Sequence, residues 1–272
     1  MENAFYEPVG QDTFAATKAT VGPWSPDAQH GGPPSALVAR ALERHAPDDR
    51  QRLARVAVDI LRPVPVGKVS IRVRMVRPGR RVALLEAVME ADGQEVLHAR
   101  GWRIERPAGD VPDITDGGGR PEPIPADSDG LPPQIFRQER HGYLASIDWR
   151  FRPAQFTEAT GPRATEVGAP VRAAWTRPLI PLLPDEEPSA MSRTLLVADS
   201  GSGVGTALPA SAFIFVNVDL TVALSRDPVG EWLLLESSTM IGSDGTGLAM
   251  TRLRDPLGAF GRGMQTLLVA PR

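Results

Sequence analysis

The 272-residue chain has no cysteine. That excludes disulfides, a cysteine nucleophile and thiolate metal ligands, and it fits a reducing compartment. Histidine is scarce too: His30, His45, His98 and His141 are the whole supply, and their spacing is not that of metal ligands. Solvated or packed roles are expected for them, with no metal. No excess of one charge is present, since 30 Lys and Arg against 33 Asp and Glu leave a net charge of -3. The balance gives no general electrostatic reason to bind nucleic acid or an anionic membrane. No run approaches the roughly 18 uninterrupted apolar residues of a membrane span. The opening segment, Met1 to Pro8, lacks the basic start and apolar stretch of a signal peptide, so a cytoplasmic location is expected. Also missing are a Gly-x-Ser-x-Gly elbow, a Walker loop and a His-Glu-x-x-His pair. Gly201, Gly203 and Gly205 do not have dinucleotide-fingerprint spacing, and no cofactor is expected.

What is present is a chain with 42% hydrophobic residues, enough for a real core, and a pattern that occurs twice. Val56-Ala57-Val58-Asp59-Ile60-Leu61 reappears as Val216-Asn217-Val218-Asp219-Leu220-Thr221, and other matches place the copies 160 to 169 residues apart. In the first copy, Leu37, Ala41 and Leu42 fall at helical spacing over 33–45, after two prolines that suit a helix start. Strand patterns follow over 55–61, 68–77, 81–90 and 95–105, separated by Pro-Gly and Asp-Gly turns. The second copy predicts a helix from Ser189 to about Leu208, weakened by its glycines, then strands over 212–224, 231–242, 247–254 and 261–270. One helix with four tightly connected strands implies an α+β unit, an antiparallel sheet carrying a single helix. The expected division is a first unit over 1–106, a Pro- and Gly-rich linker over 107–140, and a second unit over 141–272. Along 213–224, alternation predicts Ile214, Val216, Val218, Leu220, Val222 and Leu224 toward the core. Phe213, Phe215, Asn217, Asp219 and Thr221 then share the opposite face.

Polar residues confined to one copy mark where chemistry can sit. Asp199 follows the apolar stretch Leu195–Ala198 and precedes a glycine cluster. Such a carboxylate can serve as a base beside approachable backbone amides, or simply cap a helix or form a turn. Matched against the first copy, Thr221 stands opposite Leu61, Asn217 opposite Ala57, and Gln265 opposite Trp102. Each is also compatible with an ordinary sheet position. Asp219 matches Asp59, which suggests a shared structural role. His30-Gly31-Gly32 and Asp199-Ser200-Gly201 occupy roughly the same place in the two copies.

The segment Gly22-Pro23-Trp24 through His30-Gly31-Gly32-Pro33-Pro34, with the repeat and the run through Asp199, Asp219–Thr221 and Gln265, resembles TesB-like acyl-CoA thioesterases. The resemblance implies a double hotdog: two tandem units, each an antiparallel sheet wrapped around one helix and joined edge to edge. It further implies hydrolysis of acyl-CoA by a water held between an Asp, a Thr or Ser, and a Gln. Those roles fall on Asp199, Thr221 and Gln265, and Leu220 stands where many members carry His. Ser200 and Gly201 are the candidate oxyanion donors, with Asn217, His30, Gly31 and Gly32 as secondary candidates. An acyl-CoA partner and a homo-oligomer are implied. The alternatives are an acyl-CoA hydratase or dehydratase, which needs an Asp–His pair, and a non-catalytic acyl-CoA binder.

Overall fold

Pro33 and Pro34 sit in the first turn of helix α1 (Gly32–Arg44), where backbone amides have no intrahelical partner to lose. Two short strands precede it, β1 (Tyr6–Pro8) and β2 (Thr13–Ala16). Four long ones follow: β3 (Gln51–Ile60), β4 (Lys68–Arg77), β5 (Val82–Ala91) and β6 (Gln94–Glu105). This is a computed structural model, and it describes residues 2–112, 114, 123–137, 141–156, 170–206 and 208–272. The glycine run at 117–119, the centre of the expected linker, lies outside the described residues.

The later half holds α2 (Gln134–Arg137), α3 (Gly142–Ala145), β7 (Ile147–Phe151), β8 (Gln155–Phe156) and β9 (Pro170–Pro178). Next come α4 (Ala190–Ala198) and α5 (Gly201–Val204). The strands β10 (Phe213–Asn217), β11 (Asp219–Leu224), β12 (Leu233–Ile241), β13 (Thr246–Asp255) and β14 (Gly258–Pro271) complete it. Ser189 caps α4 by accepting a hydrogen bond from the Ser192 amide at 3.1 Å. The helix ends at Asp199, so the single helix expected as far as Leu208 is two pieces. The glycines that weaken helix here let α5 set off separately.

The strands form one antiparallel sheet in the order β1-β2-β4-β5-β6-β3-β11-β14-β13-β12-β9-β7, with β10 also paired to β14 and β8 to β9. The order reads the same from either end once each strand is exchanged for its counterpart. The joint is the β3–β11 pair, and α1 and α4 lie against each other inside the wrapped sheet. This is the double hotdog, α+β in composition. Among the described residues no helix is long and apolar enough to cross a membrane.

Pairing registers correct the internal alignment. Ala91 pairs with Gln94 at one hairpin and Asp255 with Gly258 at its counterpart, a displacement of 164. The same displacement relates Met75↔Leu85 to Thr239↔Ala249, and Val58↔Ala99 to Val222↔Gly263. The resemblance of Val56–Asp59 to Val216–Asp219 is therefore displaced by four residues from structural equivalence. Thr221 corresponds to Ala57 rather than Leu61, and those two pair directly at the joint, where the pseudo-two-fold passes. Gln265 corresponds to Gly101 rather than Trp102, and Asn217 to Leu53 rather than Ala57.

Each copy also carries one extra residue at the same point, Ala54 in β3 and Val218 between β10 and β11. From Asn217 to Thr221 the chain takes four steps while β14 takes three, from Leu267 to Met264. This bulge turns the strand over. Downstream, Leu220, Val222 and Leu224 face the core as the alternation predicts. Upstream the phase is reversed: Phe215 is buried, whereas Val216 and Val218 are about half exposed. The Asp219 carboxylate accepts from the Thr266 amide at 2.5 Å and so steadies the bulge, a structural role special to this copy.

Candidate active site

The backbone of Asp199 ends α4, and its side chain reaches the beginning of α1. A β-carbon at Gly31 would lie 2.7 Å from Asp199 Oδ2, and one at Gly32 would lie 2.2 Å from the Leu196 carbonyl oxygen. Glycine at both positions lets the two helices close on each other. The carboxylate thereby leaves the negative end of its own helix for the positive end of another.

Asp199 is 4% exposed, and its hydrogen bonds fall on Oδ1 and the backbone carbonyl. The Asn217 side-chain amide donates to Oδ1 at 2.8 Å. Gln265 Nε2 donates to the Asp199 carbonyl at 2.9 Å and to Oδ1 at 3.3 Å. Gln265 Oε1 in turn accepts from the Ser202 amide at 2.9 Å, which fixes the orientation of the glutamine. The other carboxylate oxygen, Oδ2, lies 3.1 Å from His30 Nδ1.

His30 stacks on Tyr143, with ring centroids 3.8 Å apart and 7° between the planes. Tyr143 donates its hydroxyl to the Leu196 carbonyl at 2.9 Å, so at the 2.9 Å contact with Ser200 the serine hydroxyl is the donor. Burial lowers the His30 pKa, and the nearby Asp199 charge opposes that only in part. The imidazole is neutral at pH 7. Its Nδ1 also lies 3.1 Å from the Gly32 amide, and it cannot donate to Asp199 and accept from Gly32 at once. The aligned hydrogen bond is the one from Gly32, so Nδ1 accepts, the neutral ring carries its proton on Nε2, and the approach to Asp199 is a close contact rather than a hydrogen bond.

A pH dependence follows. The unfolded chain protonates His30 near 6.5 and the folded chain only at lower pH, so the stability from burying it neutral is complete above about 6.5 and is lost on acidification. Between pH 7 and 5 the thermal midpoint of the wild type should therefore fall more steeply than that of His30→Asn. Parallel decline of the two would contradict the assignment.

The carboxylate and histidine open on a cavity of about 340 Å³. Its walls are mostly apolar, with Trp24, Leu97, Ile135, Phe136, Leu144 and Phe215 prominent. Trp24 meets Phe215 edge to face at 5.0 Å. Ile135 and Phe136 belong to α2, inside the stretch expected to be linker, yet both are buried and Phe136 packs on Trp149 and Phe151. The Pro- and Gly-rich composition around α2 hides this short core element.

The expected trio converges only in part. Asp199 and Gln265 meet, but the third partner is Asn217. Thr221 pairs with Met264, which is 42% exposed on the outer face, whereas Gln265 is buried on the inner one. The bulge at Val218 is the physical reason: it brings Asn217 inward and sends Thr221 out. Of the expected oxyanion donors, Ser200 is corrected. The Ser200 amide donates to the Val197 carbonyl at 3.0 Å and is already spent. A β-carbon at Gly201 would lie 2.2 Å from Thr251 Oγ1, so this glycine serves the close approach of α5 to the sheet. His30 and Asp199 are not equivalent positions in two copies; one precedes α1 and the other ends α4, and they are neighbours in space.

At the counterpart of this site in the first copy, a β-carbon at Gly101 would meet Leu53 at 2.7 Å and Leu42 at 3.0 Å. A leucine and a glycine thus stand where the second copy has Asn217 and Gln265, with the apolar Leu42 packed beside them. A cleft of about 710 Å³ lies beside them. Its charges neutralise one another: Arg40 and Arg44 pair with Glu186, and Arg52 and Arg106 with Asp227.

A double hotdog with one polar site beside an apolar cavity defines the class, and sequence comparison gives the family. Residues 20–104 match the acyl-CoA thioesterase N-terminal domain and residues 119–269 the acyl-CoA thioesterase C-terminal domain. The chain belongs to this acyl-CoA thioesterase family. No curated protein sequence matches it significantly. Among solved structures it is similar to a protein of unknown function with a hotdog fold from Alicyclobacillus acidocaldarius. That match has 17% identity and a TM-score of 0.72, covering 97% of this chain and 95% of the other. It is also similar to the acyl-CoA thioesterase II TesB2 of Mycobacterium marinum, with 16% identity, a TM-score of 0.66 and coverage of 98% and 95%. The tesB protein of Mycobacterium avium subspecies paratuberculosis gives 17%, 0.65, 98% and 96%. At these identities the structural matches speak for the fold.

Proposed function

We propose that this chain hydrolyses acyl-CoA thioesters, with Asp199 as the general base. The observation that carries the reading is a buried carboxylate, held by two side-chain amides, at the wall of an apolar cavity. The acyl chain enters the cavity and brings the thioester carbonyl to the polar end. A water beside Asp199 attacks the carbonyl carbon while its proton passes to the carboxylate. The tetrahedral intermediate collapses, the C–S bond breaks and the thiolate leaves. It needs no strong acid because a thiolate is a good leaving group, and the proton on Asp199 returns to solvent or to the thiol. Asn217 and Gln265 act through Asp199 by fixing where its oxygens point.

The test is release of free thiol from acyl-CoAs of increasing chain length. No release at any length would remove the hydrolytic reading. Asn217→Ala should lower the rate on the order of 10- to 100-fold, since a small misplacement of a catalytic group can cost about 10²-fold. Thr221→Ala should stay within about twofold of wild type, because surface changes remote from the reacting atoms move little. The reverse ranking would restore Thr221 to the site.

One observation favours a second reading. The 3.1 Å contact of His30 with Asp199 supplies the Asp–His pair that an acyl-CoA hydratase requires, and which sequence spacing alone does not reveal. Loss of enoyl-CoA absorbance without thiol release would select it.

A further inference from the structure

Attack on a thioester puts negative charge on the carbonyl oxygen, and a hydrolytic site needs a donor for that atom. Most donors around the Asp199 carboxylate are committed elsewhere. The Asn217 side-chain amide is divided between Asp199 Oδ1 and the Asp219 carbonyl, and that of Gln265 goes to Asp199. The Ser202 backbone amide serves Gln265, that of Ser200 serves Val197 and that of Gly32 serves His30. The ring N–H of His30 is not committed. With Nδ1 accepting from Gly32, the proton is on Nε2, and among the described residues this N–H has no hydrogen-bond partner. His30 lines the apolar cavity together with Asp199.

Two contacts hold the ring still. The Gly32 bond fixes its edge, and the stack on Tyr143, 3.8 Å away and 7° from parallel, fixes its plane. Tyr143 is itself pinned by the Leu196 carbonyl and the Ser200 hydroxyl. A donor fixed in this way needs no reorganisation when charge appears. Ser202 also lines the cavity, but a serine hydroxyl turns about its own bond, and among the described residues no partner holds this one.

We propose that His30 donates Nε2–H to the thioester carbonyl oxygen and stabilises the oxyanion, which makes it a catalytic residue. The role rests on the hydrolytic reading and gives the two ring nitrogens separate tasks. Nδ1 lies 3.1 Å from Asp199 Oδ2, and Nε2 is across the ring from that contact. As the water's proton passes to Asp199, negative charge leaves the carboxylate and appears on the carbonyl oxygen. It moves from the negative end of the ring's dipole to the positive end. The interaction is therefore stronger in the transition state than before attack, and it raises kcat rather than affinity. A neutral ring suits the task, because an imidazolium would neutralise the carboxylate that must take the proton. Burial keeps the ring neutral at pH 7.

Two substitutions separate the nitrogens. Asparagine at position 30 can offer its carbonyl oxygen to the Gly32 amide but is too short to bring a donor to the place of Nε2. Glutamine brings its amide there. His30→Asn should lower the kcat of thiol release about 10²- to 10³-fold, the usual cost of one oxyanion donor, with KM within about threefold of wild type. His30→Gln should recover at least about tenfold of that loss, and Ser202→Ala should cost less than His30→Asn. Circular dichroism and thermal midpoints verify folding. A folded His30→Asn with wild-type kcat, a His30→Gln no faster than His30→Asn, or a larger loss in Ser202→Ala overturns the proposal and leaves the hydrolytic reading standing. Wild type that releases no thiol at any chain length removes both. A further measurement needs no turnover. In protein carrying nitrogen-labelled histidine, magnetic resonance should show the His30 ring, assigned by its absence from His30→Asn, protonated at Nε2. Protonation at Nδ1 overturns the proposal whatever the rates.

Discussion

Replacing Asp199 with Asn should slow thiol release by roughly 10²- to 10⁴-fold, the usual contribution of a positioned base, while the protein stays folded. The substitution isolates proton acceptance from architecture. An asparagine carbonyl oxygen can still accept from Asn217 and Gln265, and its amide can face His30 Nδ1, which is already an acceptor. The neighbours keep their partners, so the buried network is not left unsatisfied. What is lost is a group that can take a proton from water. Equal thermal midpoints with a collapsed rate are the expected result. Undiminished release by a folded Asp199→Asn variant would show that another group, His30 first among them, removes the proton.

The largest effect on stability should come from Gly32→Ala. In a helix, alanine ordinarily stabilises relative to glycine by about 1 kcal/mol. Here the new methyl would stand 2.2 Å from the Leu196 carbonyl oxygen and 3.1 Å from its carbon, and backbone cannot rotate aside as a side chain does. Helix α1 must move off α4, and overpacking of this kind costs about 3 kcal/mol. For a chain of this size that lowers the thermal midpoint by roughly 5–10 °C. Activity should fall as well, because the same movement separates His30 from Asp199. Gly67→Ala, where a β-carbon meets nothing within 4 Å, is the matched control. If the two variants melt alike, close approach of the helices is not what selects glycine at position 32.

Much of this architecture is legible in the residues alone. The helix over 33–45 is legible from the proline-led start and the spacing of Leu37, Ala41 and Leu42, and the strand over 68–77 from the alternation that holds from Val69 to Met75. Duplication is legible, and Asp199 and Gln265, singled out from the sequence, do meet in the fold. Thr221 is a different matter, since strand alternation continues only until an extra residue intervenes, and Val218 does not advertise a bulge. The first-half match to Asn217 fails for a related reason: Val-x-Val-Asp recurs by chance four residues out of register. The His30–Asp199 contact joins the beginning of one helix to the end of another, and no local pattern encodes such a meeting. Ile135 and Phe136 are concealed by the Pro and Gly around them.

The bulge at Val218 has a consequence for how this site could be rebuilt. Which side chains of β10 and β11 turn inward depends on parity: one residue more or fewer exchanges the inner face of the sheet for the outer. Deleting Val218 would carry Asn217 out into solvent and swing Val216 against the carboxylate. Ala54 sets the same frame in the first copy, so at this point the two copies differ in their side chains and not in the path of the strand.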